Sequence, residues 1–288
     1  LYNHFKLGEI LMINLKEILT GTEKGYAVGN FNVHNLEYVQ GVVEAAEETQ
    51  SPVIIAITER PLNYYGIDYL INTVKAAEKN CSVPLCLHLD HGDNLDIVFK
   101  CIEAGFSSVM YDGSHLPIEE NIANTKKVVE KAAEHGIYAE AELGKLQGIE
   151  DGKESTESAL TDPDEAKRFV EETGVAVLAV AVGTAHGFYD GEPKLDFERL
   201  EAIREKVDVP LVLHGGSGVP EASVKKAIDI GISKVNVGTE LKVAFNQGIQ
   251  GVWEENPDEI ECTEIMGAAR EGVKNKVVEK INLFRSNI

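Results

Sequence analysis

The residues with the most chemical potential in this chain are histidines and carboxylates at the ends of short apolar runs. Leu85–Gly92 reads LCLHLDHG, an apolar run of strand length that stops at Asp90, His91 and Gly92. Alternate residues of a strand share a face, so His88 and Asp90 point one way and His91 the other unless the backbone turns there. An acid beside an imidazole at a strand end can join a general base to a metal ligand. A strand running into a polar turn is the plainer alternative. The pattern recurs, because His186 in GTAHG and His214 in LVLHGG also stand beside glycine where apolar runs end. Three neutral imidazoles that leave a fourth position open make a catalytic zinc site. Glu142 in EAEL is a candidate oxygen ligand for a second metal position, and Asp112 in SVMYD is another. The remaining histidines are weaker candidates: His88 is expected inside the fold, His135 at a helix end, and His34 and His115 in loops.

Two glycine-rich turns suggest an anion site. HGGSG (His214–Gly218) and NVGT (Asn236–Thr239) each follow an apolar run. Gly215, Gly216 and Gly218 allow close backbone approach, and Ser217 and Thr239 add hydroxyl donors. Leu143–Leu160 is long, polar and glycine-containing, with Glu150 and Asp151 at its middle. A structureless stretch of that length is expected to be a lid delivering a carboxylate, or else an exposed acidic loop. No lysine ends a predicted strand, and Lys234 lies at the start of one. A metal electron sink is therefore favoured over an imine, which needs a buried lysine at the reacting end.

The elements that must position these groups follow from a repeating unit. An amphipathic helical pattern closes at a glycine (Gly105, Gly136, Gly174, Gly231) and a β-rich run follows. Glycine just past a helix supplies the left-handed turn, and Asp162-Pro163 marks a helix start. Apolar β-branched runs predict eight strands, near 27–32, 53–58, 85–90, 108–112, 137–142, 177–182, 210–214 and 234–238. Most are apolar on both faces, as in a parallel sheet covered by helices. Eight βα units in one domain match the (β/α)8 barrel, whose chemistry sits at the C-terminal strand ends. Those ends carry Asn32, Thr58, Asp90, His91, Asp112, Glu142, His186, His214 and Asn236. An open doubly wound sheet is the runner-up, but no GxGxxG follows the first strand.

Composition narrows the partners. The 288 residues carry 48 acidic and 27 basic side chains, a net charge of −21, which argues against nucleic acid and anionic membrane as partners. Cys81, Cys86, Cys101 and Cys262 show no CxxC spacing, consistent with a reducing cytoplasm. No apolar run reaches membrane-spanning length, and no secretory signal is expected. Residues 1–11 precede Met12 and read as an extension or an expression remnant.

FNVHNLE, HLDHG, SVMYDGSHLP, EAELG, GTAHG, LHGGSG and NVGTELK occur in this order. In order and spacing the chain resembles the class II, metal-dependent aldolases from about Met12 to the C-terminus. The resemblance implies one (β/α)8 TIM-barrel domain over residues 12–288. It also implies reversible cleavage of a phosphorylated ketose, fructose or tagatose 1,6-bisphosphate, to dihydroxyacetone phosphate and glyceraldehyde 3-phosphate. Zinc, held by His91, His186 and His214, would stabilise the enediolate. Asp90 carries over as base on the C4 hydroxyl and Glu150 as the mobile-loop acid. Asp112 and Glu142 match an alternative metal position. Gly187, Gly215, Ser217, Asn236 and Thr239 match phosphate or substrate contacts. Gly216 and Gly238 in the same turns, and Asn32 and Thr58 at strand ends, join them as candidates. A monovalent cation (Na+ or K+) near the phosphate and a homodimer or homotetramer are further implications.

The substrate is less narrowly implied. NVGTELK looks closer to tagatose-bisphosphate members, and Asp190 stands where fructose enzymes often carry a basic residue. ITERPLNYYG is similar to the inositol-catabolic branch, whose substrate is 6-phospho-5-dehydro-2-deoxygluconate. There Arg60 could pair with the carboxylate. Arg270 lies where some members place the arginine for the distal phosphate. A metal-dependent hydrolase on the same barrel and a non-catalytic sugar-phosphate-binding regulator are the alternatives of other classes.

Overall fold

A computed structural model of the chain describes residues 12–150, 153–155, 158–187, 189, 191 and 193–287. The proposed extension, 1–11, lies outside them. Ten strands are present among the described residues: β1 (Val28–Asn32), β2 (Val53–Ile57), β3 (Leu85–Gly92), β4 (Ser108–Tyr111), β5 (Tyr138–Leu143), β6 (Gly148–Glu150), β7 (Lys153–Ser155), β8 (Val177–Val180), β9 (Leu211–Leu213) and β10 (Ile232–Val237). The helices are α1 (Leu15–Ile18), α2 (Leu36–Thr49), α3 (Glu59–Tyr65), α4 (Ile67–Glu78), α5 (Leu95–Ala104), α6 (Ile118–Glu134), α7 (Pro163–Thr173), α8 (Phe197–Lys206), α9 (Glu221–Ile230), α10 (Thr239–Glu255) and α11 (Cys262–Phe284). Eight of the strands close a barrel in the order β1-β10-β9-β8-β5-β4-β3-β2. Every pairing in it is parallel. This is the single-domain (β/α)8 TIM barrel.

The expected strands are all found, because β-branched runs buried on both faces have few other uses. The expected helix ends are found as well: Gly105, Gly136, Gly174 and Gly231 all have positive φ, and Asp162 caps α7 through the amides of Asp164 and Glu165. Apolar side chains between strands and helices form the larger core. A smaller cluster joins Leu15, Ile18, Leu19 and Tyr26 to Val28, Ile54, Cys86, Val177 and Val212. It fills the barrel at the beginnings of the strands, with α1 as the plug. Above it the interior turns polar: His88, Glu140 and Lys234 are all 0% exposed. The apolar cores thus lie around the barrel and at its bottom, which leaves the upper interior layers to chemistry.

The long polar stretch after β5 departs from expectation. It is not structureless: β6 and β7 pair antiparallel, with Glu150 opposite Lys153, and Lys145 bridges Ala159 below them. The Asp151-Gly152 dipeptide in the sequence between the paired residues is a strong hairpin signal, which length and polarity alone conceal. Gly148 also bridges His186, so the hairpin is tied to a candidate metal-ligand loop. No helix among the described residues is long and apolar enough to cross a membrane.

Candidate active site

Asp90 and His91 would face opposite ways in a regular strand. The ladder from β3 to β4 slips between Leu89 and Gly92, so three steps on β3 match two on β4. His91 absorbs the extra residue with φ +50°, a left-handed conformation uncommon outside glycine. Such a bulge re-aims side chains at a barrel rim. Gly92 is needed there because a Cβ on it would come 2.8 Å from the Met110 carbonyl oxygen.

Asp90 is 1% exposed. Its two carboxylate oxygens accept from Asn32 Nδ2 at 2.7 Å and Asn236 Nδ2 at 2.9 Å. Burial alone would raise this carboxyl, but His91 and then the charge of Lys234 hold it below the usual carboxylate range. The group is therefore an anchored anion with a base's charge.

The three imidazoles converge beside it. Ring centroids are 4.9 Å apart for His91 and His186, 4.6 Å for His91 and His214, and 6.0 Å for His186 and His214. One nitrogen from each lies within 4.8 Å of the others. His91 Nε2 faces His214 Nδ1 at 2.8 Å. Burial depresses the pKa of both His186 and His214, which keeps them in the neutral, ligating form. Behind the cluster, His91 Nδ1 meets Asp112 Oδ2 at 2.9 Å, and His214 Nε2 meets Glu140 Oε1 at 2.9 Å. A carboxylate on the far nitrogen of a ligand histidine fixes its tautomer and raises its basicity.

A second donor set overlaps the first: His91, Asp112 and Glu142 also offer ligand atoms within 4.8 Å of one another. Glu142 Oε2 is buried with no hydrogen-bond partner among the described residues, 3.7 Å from His214 Nδ1 and 3.9 Å from His91 Nδ1. Burial, then the charge of Asp112, pushes its carboxyl well above the usual range. An orphaned buried oxygen facing imidazole nitrogens fits a divalent cation, and the neighbouring three-imidazole set suits zinc.

The cleft at this mouth is lined by Asn32, Asp90, His91, His186, Gly187, Gly215, Ser217, Asn236, Gly238, Thr239 and Lys242. The β9 and β10 turns meet here: Gly216 N donates to the Asn236 carbonyl at 3.1 Å. Gly215 has φ +64°, and a Cβ on it would come 2.3 Å from the Ala185 carbonyl oxygen. Tyr189 Oη accepts from Ala185 N at 2.9 Å and donates to the Gly215 carbonyl at 2.7 Å, fastening the His186 loop to the His214 loop. Ser217 Oγ accepts from the Glu240 amide, and Glu240 in turn accepts from Gly218 N, joining the β9 turn to the start of α10.

Other expected residues lie apart from the cleft lining. Thr58 is buried just past β2, and its hydroxyl lacks a partner among the described residues. Arg60 is exposed in the first turn of α3. Arg270 lies against α2, 3.5 Å from Glu44 and 3.4 Å from Gln40. The side chain of Glu150 and the whole of Asp190 fall outside the described residues. Glu140, Tyr189 and Lys242 were not anticipated. Glu140 alone had a signal, since two residues before Glu142 it must share that residue's face. Lys234 is not at a reacting end: it is 0% exposed and binds both Glu140 oxygens, at 2.8 and 3.0 Å. Burial alone would raise the Glu140 carboxyl, but Lys234, the hydrogen bond with His214 and the nearby His88 together hold it down at about 2.

Residues 13–287 match the family model described as fructose-bisphosphate aldolase class-II. The D-tagatose-1,6-bisphosphate aldolase subunit GatY of Klebsiella oxytoca is 44% identical, over 94% of this chain and 96% of that protein. The sulfofructosephosphate aldolase of Alkalicoccus urumqiensis is 42% identical, over 92% of this chain and 93% of that one. Among solved structures, the YdjI aldolase of Escherichia coli K12 superimposes with a TM-score of 0.83 at 36% identity, covering 96% of this chain and 98% of that one.

Proposed function

From its membership of the class II fructose-bisphosphate aldolase family, we propose that this chain reversibly cleaves a ketose 1,6-bisphosphate to dihydroxyacetone phosphate and glyceraldehyde 3-phosphate. The observation that carries the proposal is Asp90, a buried carboxylate gripped by two asparagine amides at the rim where His91, His186 and His214 converge. Those imidazoles would hold zinc, which when bound supplies Lewis-acid stabilisation of the enediolate charge. Asp90 removes the C4 hydroxyl proton, and collapse of that oxyanion to an aldehyde breaks the C3–C4 bond. Asn32 and Asn236 hold the carboxylate still, so its oxygens stay aimed while the proton moves. Glu150 returns a proton to C3. It stands on β6, two residues after the Gly148 that bridges His186.

The phosphate proposal places one end of the ketose among Gly187, Gly215, Gly216, Ser217, Asn236, Gly238 and Thr239. The α10 N-terminus favours an anion there, and Lys242, one turn into that helix, lines the same cleft. A monovalent cation beside that phosphate belongs to the same proposal, as does Asp112 with Glu142 as a resting position for zinc.

Relatives of similar identity are named for different substrates, so substrate identity is a matter for assay. Dihydroxyacetone phosphate release would be followed from fructose bisphosphate, tagatose bisphosphate, sulfofructose phosphate and 6-phospho-5-dehydro-2-deoxygluconate, with and without chelator. Chelator-sensitive release from either bisphosphate is the expected result. Release only from the deoxygluconate would transfer specificity to Arg60. No release from any of the four by the zinc-loaded protein would overturn the proposal.

A further inference from the structure

We infer that Lys234 is a positioning residue for the metal centre, acting through Glu140 on His214; the inference rests on the three-imidazole site proposed above. A histidine offers either ring nitrogen to a metal, and the partner of the other nitrogen decides which. Here His214 Nε2 lies 2.9 Å from Glu140 Oε1. The ring proton therefore belongs on Nε2, and Nδ1 is presented toward His91 Nε2 at 2.8 Å.

The carboxylate that makes this choice has no solvent to hold it, since Glu140 is 0% exposed. Lys234 supplies what water would: its Nζ lies 3.0 Å from Oε1 and 2.8 Å from Oε2. Gripping both oxygens fixes the carboxylate plane, and with it the angle at which His214 is held. A buried carboxylate stripped of its counter-charge is strongly disfavoured. The two strands are not neighbours, because β9 and β8 stand between β10 and β5. The pair therefore crosses the barrel interior, and Lys234 lies two residues before Asn236 on the same strand face. His88 completes the layer: its Nε2 is 3.7 Å from Glu140 Oε2, and its Nδ1 is 2.8 Å from Ser108 Oγ. A lysine this deep in the barrel, committed to a carboxylate at both oxygens, acts on the metal ligand and not on substrate.

The test compares wild type, Lys234→Met, Lys234→Met/Glu140→Gln and Lys234→Met/Glu140→Leu. Zinc affinity is read by competition with a chromophoric chelator, geometry by the visible absorption of the cobalt(II)-substituted protein, and folding by circular dichroism. Lys234→Met should weaken zinc binding by about 10–100-fold and move the cobalt band. The Gln double variant keeps an acceptor for Nε2–H without needing a counter-charge, and should regain most of that loss. The Leu double variant should not. If Lys234→Met fails to fold, the two double variants make the comparison alone. Wild-type affinity and cobalt spectrum in Lys234→Met, or equal zinc binding by the Gln and Leu variants, would overturn the inference. A wild-type protein that bound no zinc would instead remove the three-imidazole site itself.

Discussion

Asp90 and His91 are adjacent in sequence, and the structure gives them separate tasks. Asp90 is held by amides and touches no other described ligand group through a hydrogen bond, whereas His91 belongs to both donor sets. Removing His214 should therefore cost zinc and activity together, while Asp90→Ala should retain zinc. The two proton steps should also separate. Exchange of the C3 proton of dihydroxyacetone phosphate with solvent needs no C4 hydroxyl, so Asp90→Ala should retain it. Glu150→Gln should slow both exchange and cleavage, by about 10²–10⁴-fold if it acts as the general acid. Exchange unaffected in Glu150→Gln would remove that residue from the reaction. Lys242 makes a different kind of contribution. A hydrogen bond to a charged group is worth about 1.5–3 kcal/mol, so Lys242→Met should raise KM roughly tenfold or more with kcat little changed, and Lys242→Arg should restore it. An unchanged KM would place that side chain away from the substrate.

At the scale of elements, the catalytic rim depends on irregularity that regular patterning does not reveal. The eight barrel strands and their glycine helix ends were legible because each is a local feature: a β-branched run, a C-terminal glycine, an N-cap aspartate. The strand-end positions of His91 and His214 were legible for the same reason, whereas His186 lies six residues beyond β8, in the loop that Gly148 bridges. The bulge at His91 was not, because a one-residue slip shows only against the neighbouring strand. The hairpin of β6 and β7 was also missed, its Asp-Gly signal lost in a polar stretch. Gly92→Ala tests the bulge directly, since the added Cβ would meet the Met110 carbonyl oxygen. It should destabilise the fold by about 1–3 kcal/mol and weaken zinc binding along with it. Undiminished zinc affinity would show that the backbone there is more forgiving than its geometry indicates.

Across the whole molecule, stability and chemistry occupy different layers of one barrel. The apolar cluster around α1 closes the bottom, the Lys234–Glu140 pair spans the middle, and the carboxylates and imidazoles open at the top. Such long-range pairing could not be read from the sequence, because which residues meet across a barrel depends on strand stagger. The layering leads to a clear expectation for metal removal. Chelation should abolish cleavage and leave far-ultraviolet circular dichroism unchanged, with Tm falling only as far as the loss of zinc's binding free energy to the native state requires. Unfolding on chelation would mean that the metal, and not the apolar cores, holds the barrel closed. The most direct measurement takes one preparation of zinc-loaded Asp90→Ala beside wild type, and determines zinc content and dihydroxyacetone phosphate release from fructose and tagatose bisphosphates. The expected result is equal zinc in both proteins and release from wild type alone; release by Asp90→Ala at the wild-type rate would contradict it.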